Sequence, residues 1–282
     1  MLILKKHFHM WHTFKTKAFN AALTAVSYCV LLAGCNSPQN NPSAEKKGAA
    51  ADTNKVSTVE ERYSTGVIKS RTQAKGNRRE GLTQNYNEKG QLTTEIMYKN
   101  NMKEGMARTY YPNGKVSMEV PYVKGLQDGE AKWFYETGEA YRVTPYVQGK
   151  RQGMQKLYYQ GGKIKAEIPF KDDAQIPGMK EYLMNGTQIP EPTIQIKRGT
   201  QGNTSVLVVG LSDKAKEVTY YEGALADWKF FPEAMNKLPK NANGEGILTI
   251  SNRIMSQGKA HIIAVEKTDM GNDLILEKTY KL

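Results

Sequence analysis

Glycine recurs in this 282-residue chain at Gly81, Gly105, Gly129 and Gly153, and again at Gly90, Gly114, Gly138 and Gly162, each series stepping by 24 residues. Tyr98, Tyr122, Tyr146 and Phe170 keep the same step, as do Tyr86, Tyr110, Phe134 and Tyr158. A period of roughly 20 to 50 residues belongs to an array in which each unit buries its apolar surface against the next. The series begins earlier than its glycines suggest: Tyr63, Gly66 and Asn77 stand 24 residues before Asn87, Gly90 and Asn101, with Ala74 in the aromatic position. At the other end the spacing slips by one residue across Asp172 to Pro177, and Pro190 and Pro192 close the array.

Within a unit the pattern is that of paired strands. From Gly105 to Tyr122, the turn formers are Pro112, Asn113 and Gly114, glycine being free to take positive φ. Beyond that turn Val116, Met118, Val120 and Tyr122 fall at every second position, the period of a half-buried strand. A second turn follows each such strand, where Asn77, Asn101, Gly125, Gly149 and Asp173 share a column of residue types that tolerate a left-handed backbone. Each unit reads as a hairpin whose glycines set turns. The expected class is all-β, with residues 61–189 forming an elongated antiparallel β-meander.

The run from Glu104-Gly105 to Tyr110-Tyr111, followed by Asn113-Gly114-Lys115, Tyr122 and Lys124-Gly125, resembles the bacterial variant of the MORN repeat, which is also grouped as an antitoxin-like family. The resemblance implies an extended β-sheet used in membrane, scaffold or partner association, and it transfers no catalytic residue. The chain departs from it at Ala74, across Asp172 to Pro177 and at Tyr182-Leu183.

Residues 1–34 have the parts of a secretory signal: a basic start, an apolar run from Ala21 to Leu32 and small residues at a cut. That run is shorter than the ~20 residues of a spanning helix. Leu32-Ala33-Gly34-Cys35 resembles the lipobox of bacterial lipoproteins, which implies cleavage before Cys35 and a lipid on its sulfur. Asn36, by resemblance to lipoprotein sorting, implies an outer-membrane anchor where the source has two membranes; cleavage at an ordinary site would instead give a soluble secreted protein. The long basic segment also leaves Met10 as an alternative start. The only other cysteine, Cys29, lies in the removed segment, so neither disulfide nor thiol chemistry is expected of the mature chain. Residues 35–60, rich in Asn, Ser, Pro, Ala and Lys, read as a flexible tether.

The net charge is +12, of which Lys5, Lys6, Lys15 and Lys17 carry four in the removed segment, leaving +8. That charge suits anionic glycans or head groups, or simply a solvated lysine-rich surface; no nucleic-acid partner is expected. Residues 190–282 lose the period. Strand-like stretches at 193–197, 204–209, 217–222, 228–231, 246–251, 260–265 and 274–282 suggest a β-sandwich. It resembles immunoglobulin-like modules, without their cysteine pair.

Three of the four histidines, His7, His9 and His12, precede the cut, and His261 stands alone in a predicted strand, short of the partners that a triad or metal site requires. Neither a phosphate-binding loop nor a calcium loop occurs, so no cofactor or metal is expected. The 28 acidic residues contain no spacing that singles out a catalytic pair. Two columns are candidate binding features. Arg108, Lys132 and Lys156 would form a positive ladder with members about 10 Å apart, for an anionic ligand or as solvated charges that resist sheet stacking. Tyr86, Tyr110, Phe134 and Tyr158, with Trp133, would line an aromatic groove for sugars or stabilise the sheet by ring pairing. Residues that break the repeat, namely Trp133, Arg142 and the insertion from Asp172 to Pro177, are the places where a site is expected. These readings point to a non-enzymatic, lipid-anchored cell-envelope protein whose sheet binds a protein or glycan. The alternatives are an antitoxin-like or immunity protein and an envelope enzyme acting on glycans.

Overall fold

In the computed structural model, which describes residues 55–215 and 217–282, fourteen strands form one antiparallel sheet. The expected signal, the lipidation site Cys35 and most of the tether lie outside these residues. In chain order the strands are β1 Val56–Arg62, β2 Ile68–Lys75, β3 Arg78–Tyr86, β4 Leu92–Lys99, β5 Met102–Tyr110, β6 Val116–Val123, β7 Leu126–Gln127, β8 Gly129–Phe134, β9 Ala140–Val147, β10 Lys150–Arg151, β11 Gly153–Tyr158, β12 Ile164–Lys171, β13 Ala174–Gln175 and β14 Lys180–Glu181. β1 claims residues expected in the tether: its β-branched Val56, Thr58 and Val59 suit a strand, and it pairs along its length with β2.

The two glycine series do different work. Gly90, Gly114, Gly138 and Gly162 close turns with positive φ, each amide donating to the carbonyl three residues back, as Gly114 does to Tyr111 at 2.9 Å. Gly81 and Gly105 stand instead in mid-strand, and Gly129 and Gly153 open β8 and β11 just after the short strands β7 and β10, at φ 107°, 85°, 109° and 101°, where the pairing is bulged or interrupted. They are not turn residues, contrary to the expectation from spacing. Pro121, Pro145 and Pro169 on neighbouring strands lack the N–H that a regular ladder needs, and Asp128 and Gln152 bridge the interruption by donating to the Pro121 and Pro145 carbonyls at 3.1 and 3.0 Å. Two-residue hairpins follow at Asn100-Asn101, Lys124-Gly125, Gln148-Gly149 and Asp172-Asp173, with both central φ angles positive, whereas at Gly76-Asn77 only the glycine is left-handed and Asn77 departs from its expected column. The doubly left-handed geometry matches the strand twist.

Alternation sorts the side chains onto two faces. The first carries the row Thr83, Ile96, Ala107, Val120, Ala131, Thr144, Gln155, Ile168, and beside it the pairs Gly81–Tyr98, Gly105–Tyr122, Gly129–Tyr146 and Gly153–Phe170. Ala131 is fully buried and Val120 nearly so. Adjacent units are also stapled laterally: the hydroxyls of Tyr63, Tyr111, Tyr135 and Tyr159 donate to the carbonyls of Tyr86, Phe134, Tyr158 and Tyr182.

Beyond the array, β15 Ile194–Gln201, β16 Thr204–Leu211 and β19 Gly246–Thr249 form one antiparallel sheet. β17 Val218–Glu222, β18 Asn236–Lys237, β20 Lys259–Lys267 and β21 Asp273–Lys281 form another. The stretch expected as a strand at 228–231 instead follows a tight turn, with Asp227 and Trp228 both left-handed (φ 52° and 65°), and runs into a short 3-10 helix at Pro232–Ala234. A helix, α1 (Asn252–Gln257), starts on the Ser251 side chain, ends at left-handed Gly258 and buries Ile254. Leu207, Val209, Tyr220, Ile262 and Leu276 of these sheets share one core with Ala166, Ile168 and Phe170 of the array. The first face of the last unit is thereby covered.

Candidate functional site

The second face of the array carries a cross-strand row made mostly of charged residues. Register places Glu60, Arg71, Gln84, Glu95, Arg108, Glu119, Lys132, Val143, Lys156, Glu167 and Lys180 opposite one another, strand by strand. The three cations expected to form a positive ladder do lie on one row, but carboxylates stand between and beside them. Arg108 Nε donates to Glu119 Oε1 at 2.8 Å, and that bond raises the Arg108 pKa further. Lys132 lies 3.6 Å from Glu130. Two uncharged residues interrupt the alternation, Gln84 between Arg71 and Glu95 and Val143 between Lys132 and Lys156. A row of alternating sign stabilises cross-strand pairs and offers an anion no continuous positive track.

The expected aromatic groove is divided between the faces. Tyr86 and Tyr110 share the charged face, where their hydroxyls donate to Gln84 and Glu95. Burial first, then the Glu95 bond, pushes the Tyr110 phenol up to about 12, while the Tyr110 and Gln84 bonds hold the Glu95 carboxyl below its usual range. Phe134 and Tyr158 occupy the same column. Trp133 belongs to the opposite face, where its indole packs under the Arg142 guanidinium at 3.7 Å. Arg142 Nε is buried there without a hydrogen-bond partner.

On that first face the column rings carry cations: Arg79 over Tyr98 at 4.2 Å, Lys103 over Tyr122 at 4.7 Å and Arg151 over Phe170 at 4.1 Å. Gln127 holds the equivalent place beside Tyr146. Toward β1 the face opens into a cavity of about 410 Å³, lined by Glu61, Ser70, Thr72, Arg79, Thr83 and Tyr98 among others. The insertion from Asp172 to Pro177 serves a joint rather than an open surface. Lys229 holds Asp172 at 2.7 Å and lowers its carboxyl pKa, and Lys171 holds Asp227 at 2.7 Å. Beside this joint a second cavity, about 820 Å³, is lined by Glu181, Asp213, Glu266 and Asp269. His261 sits in β20 with Nδ1 3.0 Å from the Thr279 hydroxyl. Among the described residues no group of three or more His, Cys, Asp or Glu side chains is placed to hold a metal ion.

Four consecutive segments match the MORN repeat variant, residues 79–100, 103–124, 127–148 and 151–172. No curated protein matches the chain. The MORN-variant boundaries fall at the two-residue hairpins, so each match opens just before a bulge glycine and closes on the next hairpin turn. Two features of these repeats escaped the reading of the sequence. The stapling tyrosines at 63, 111, 135 and 159, and the cations at 79, 103 and 151, both recur at the repeat period, so the signal was present. What a period cannot disclose is which unit each side chain reaches.

Proposed function

We propose that the chain is a non-enzymatic, lipid-anchored protein of the cell envelope that presents its repeat sheet to a glycan or protein partner. What supports binding is the contrast between the two ends of one face: over β12 it is buried in a core shared with the terminal sheets, whereas over β1–β4 it remains open and cavity-bearing. The anchor rests on the lipobox-like Leu32-Ala33-Gly34-Cys35, and Asn36 favours the outer membrane in a source with two. The repeat itself uses its regular charges and rings for cross-strand pairing, which leaves the irregular positions for recognition.

Labelled palmitate is expected to enter the wild-type protein and not Cys35→Ala; equal labelling of the two overturns the anchor. Cross-linked envelopes are expected to yield a partner or polysaccharide that is retained by the wild type and lost when the open face is altered by Thr72→Arg. Retention by neither, or equally by both, overturns binding through this face.

A further inference from the structure

We infer that the cavity over β1–β4 is a subsite for a carboxylated sugar unit of an acidic glycan, an inference that rests on the array being a binding sheet. Its volume, about 410 Å³, is within the range of roughly 300–1,000 Å³ typical of small-ligand sites. Its lining carries the hydroxyls of Ser70, Thr72 and Thr83, groups that pair with sugar hydroxyls, and Asn85, whose Nδ2 donates to Thr94 at 2.6 Å. Thr83 is 6% exposed and its Oγ1 has no hydrogen-bond partner, so the cavity wall contains a buried polar group left unsatisfied by the fold.

These hydroxyls are not demanded by the repeat. The positions equivalent to Thr83 are Ala107, Ala131 and Gln155, and those equivalent to Thr72 are Ile96, Val120 and Thr144, the last of which donates its hydroxyl to Gln155 within the sheet. The cavity opens on the unit that has Ala74 where every later unit has a ring. Architecture therefore explains the columns but not this departure from them.

Arg79 supplies the charge. Arg62, Arg71, Arg108 and Arg151 each hold a carboxylate, whereas Arg79 forms no ion pair among the described residues. Its guanidinium lies 4.2 Å over the Tyr98 ring, a contact that holds it beside the cavity that both residues line. A planar fork matches a carboxylate through two parallel bonds. Glu61, which also lines the cavity and lies 3.9 Å from Lys69, can accept hydrogen bonds from hydroxyls and disfavours a ligand of dense negative charge, so one carboxylate on a hydroxylated ring suits the site better than a row of phosphates. Val59 offers the apolar contact that the carbon face of such a ring requires.

Calorimetric titration of the purified protein with oligogalacturonate tests this, with methyl-esterified oligogalacturonate as the neutral counterpart. The wild type is expected to bind the acid form at least tenfold more tightly than the ester. Arg79→Gln is expected to remove that preference, Ser70→Ala to weaken binding several-fold, and Lys132→Ala/Lys156→Ala on the other face to change nothing. Binding unaffected by Arg79→Gln, binding abolished by the double lysine variant, or uptake of anionic phospholipid vesicles in place of the glycan would each overturn the site. Absence of oligogalacturonate binding while envelope cross-linking still yields a Thr72→Arg-sensitive partner refutes the sugar subsite alone. Absence of both refutes the binding sheet as well.

Discussion

Glu266 of β20 lines the larger cavity beside the joint, and its Oε2 atom is buried with no hydrogen-bond partner. Burial, then the negative charges of Asp213, Glu181 and Asp269, pushes its carboxyl from 4.5 up to about 7. For a dry group a rise of that size is worth about 3 kcal/mol. The residue is only part-buried, and solvent screening brings the expected figure to about 1–2 kcal/mol. The sign follows from the direction. In the unfolded chain the carboxyl ionises near 4.5, while in the folded protein it keeps its proton up to about 7. The stability it contributes is therefore fully present below about 4.5 and is lost as pH rises through about 7. Glu266→Gln keeps the position neutral throughout. In thermal melts followed by circular dichroism, the variant should match the parent at pH 4 and melt about 2–8 °C higher at pH 8. Subtracting the two profiles cancels the opposite slopes of Glu60 and Glu95, whose carboxyls are held low mainly by Arg71 and Tyr110. Parallel profiles, or a variant less stable than the parent at pH 8, would refute the reasoning, the latter by showing that the ionised carboxylate has a favourable partner.

Gly129→Ala should cost more than Gly114→Ala. Both positions have positive φ, but a Cβ at Gly129 would lie 3.0 Å from Pro121 Cγ whereas at Gly114 it would meet nothing; urea unfolding should show a loss of about 2–3 kcal/mol against about 1, and equal losses would remove Pro121 as the cause. Tyr135→Phe deletes the 3.0 Å bond to the Tyr158 carbonyl that joins two units. It should lose about 1 kcal/mol in the same assay, and an unchanged midpoint would show that the staple contributes nothing.

The hairpins were legible because a 24-residue step leaves few ways to place a strand, a turn and a strand. Alternation likewise placed Val116, Met118, Val120 and Tyr122 on one face. What could not be read was the opposing residue on the next strand, because register is set by turn type and bulge position together. The bulge at Gly105 pairs Ile96 with Ala107 and Tyr98 with Lys103, and that shift brings Glu95 opposite Arg108. Carboxylates thus entered a row that spacing alone had drawn as purely basic. Trp133 was grouped with Phe134 because both are aromatic, although adjacent strand residues face opposite ways. The capping signals of α1, Ser251 and Gly258, were present, but six residues are too few to show a helical period. The shared core at Ile168 and Phe170 depends on the terminal sheets and left no mark within the repeat.

The first face of the array changes character along its length. Equivalent positions read Asn85, Thr109, Trp133 and Leu157 in one column, and Ser70, Thr94, Met118, Arg142 and Ala166 in the column paired with it. Polar residues occupy the start, large or charged ones the middle and apolar ones the end. A repeat required only to pair with itself has no reason to grade its side chains in this way, since every interior unit meets the same neighbours. The grading follows what lies over each unit: Leu157 and Ala166 face the core shared with the terminal sheets, where a polar group would lack a partner, while Ser70 and Thr83 face a cavity. The terminal sheets thus close one end of the sheet. At the other end, β1 presents Glu60, Glu61 and Arg62 along an exposed edge, charges that oppose the addition of a further strand. With pairing discouraged at that edge, the part of the sheet left open among the described residues is the face over the first units.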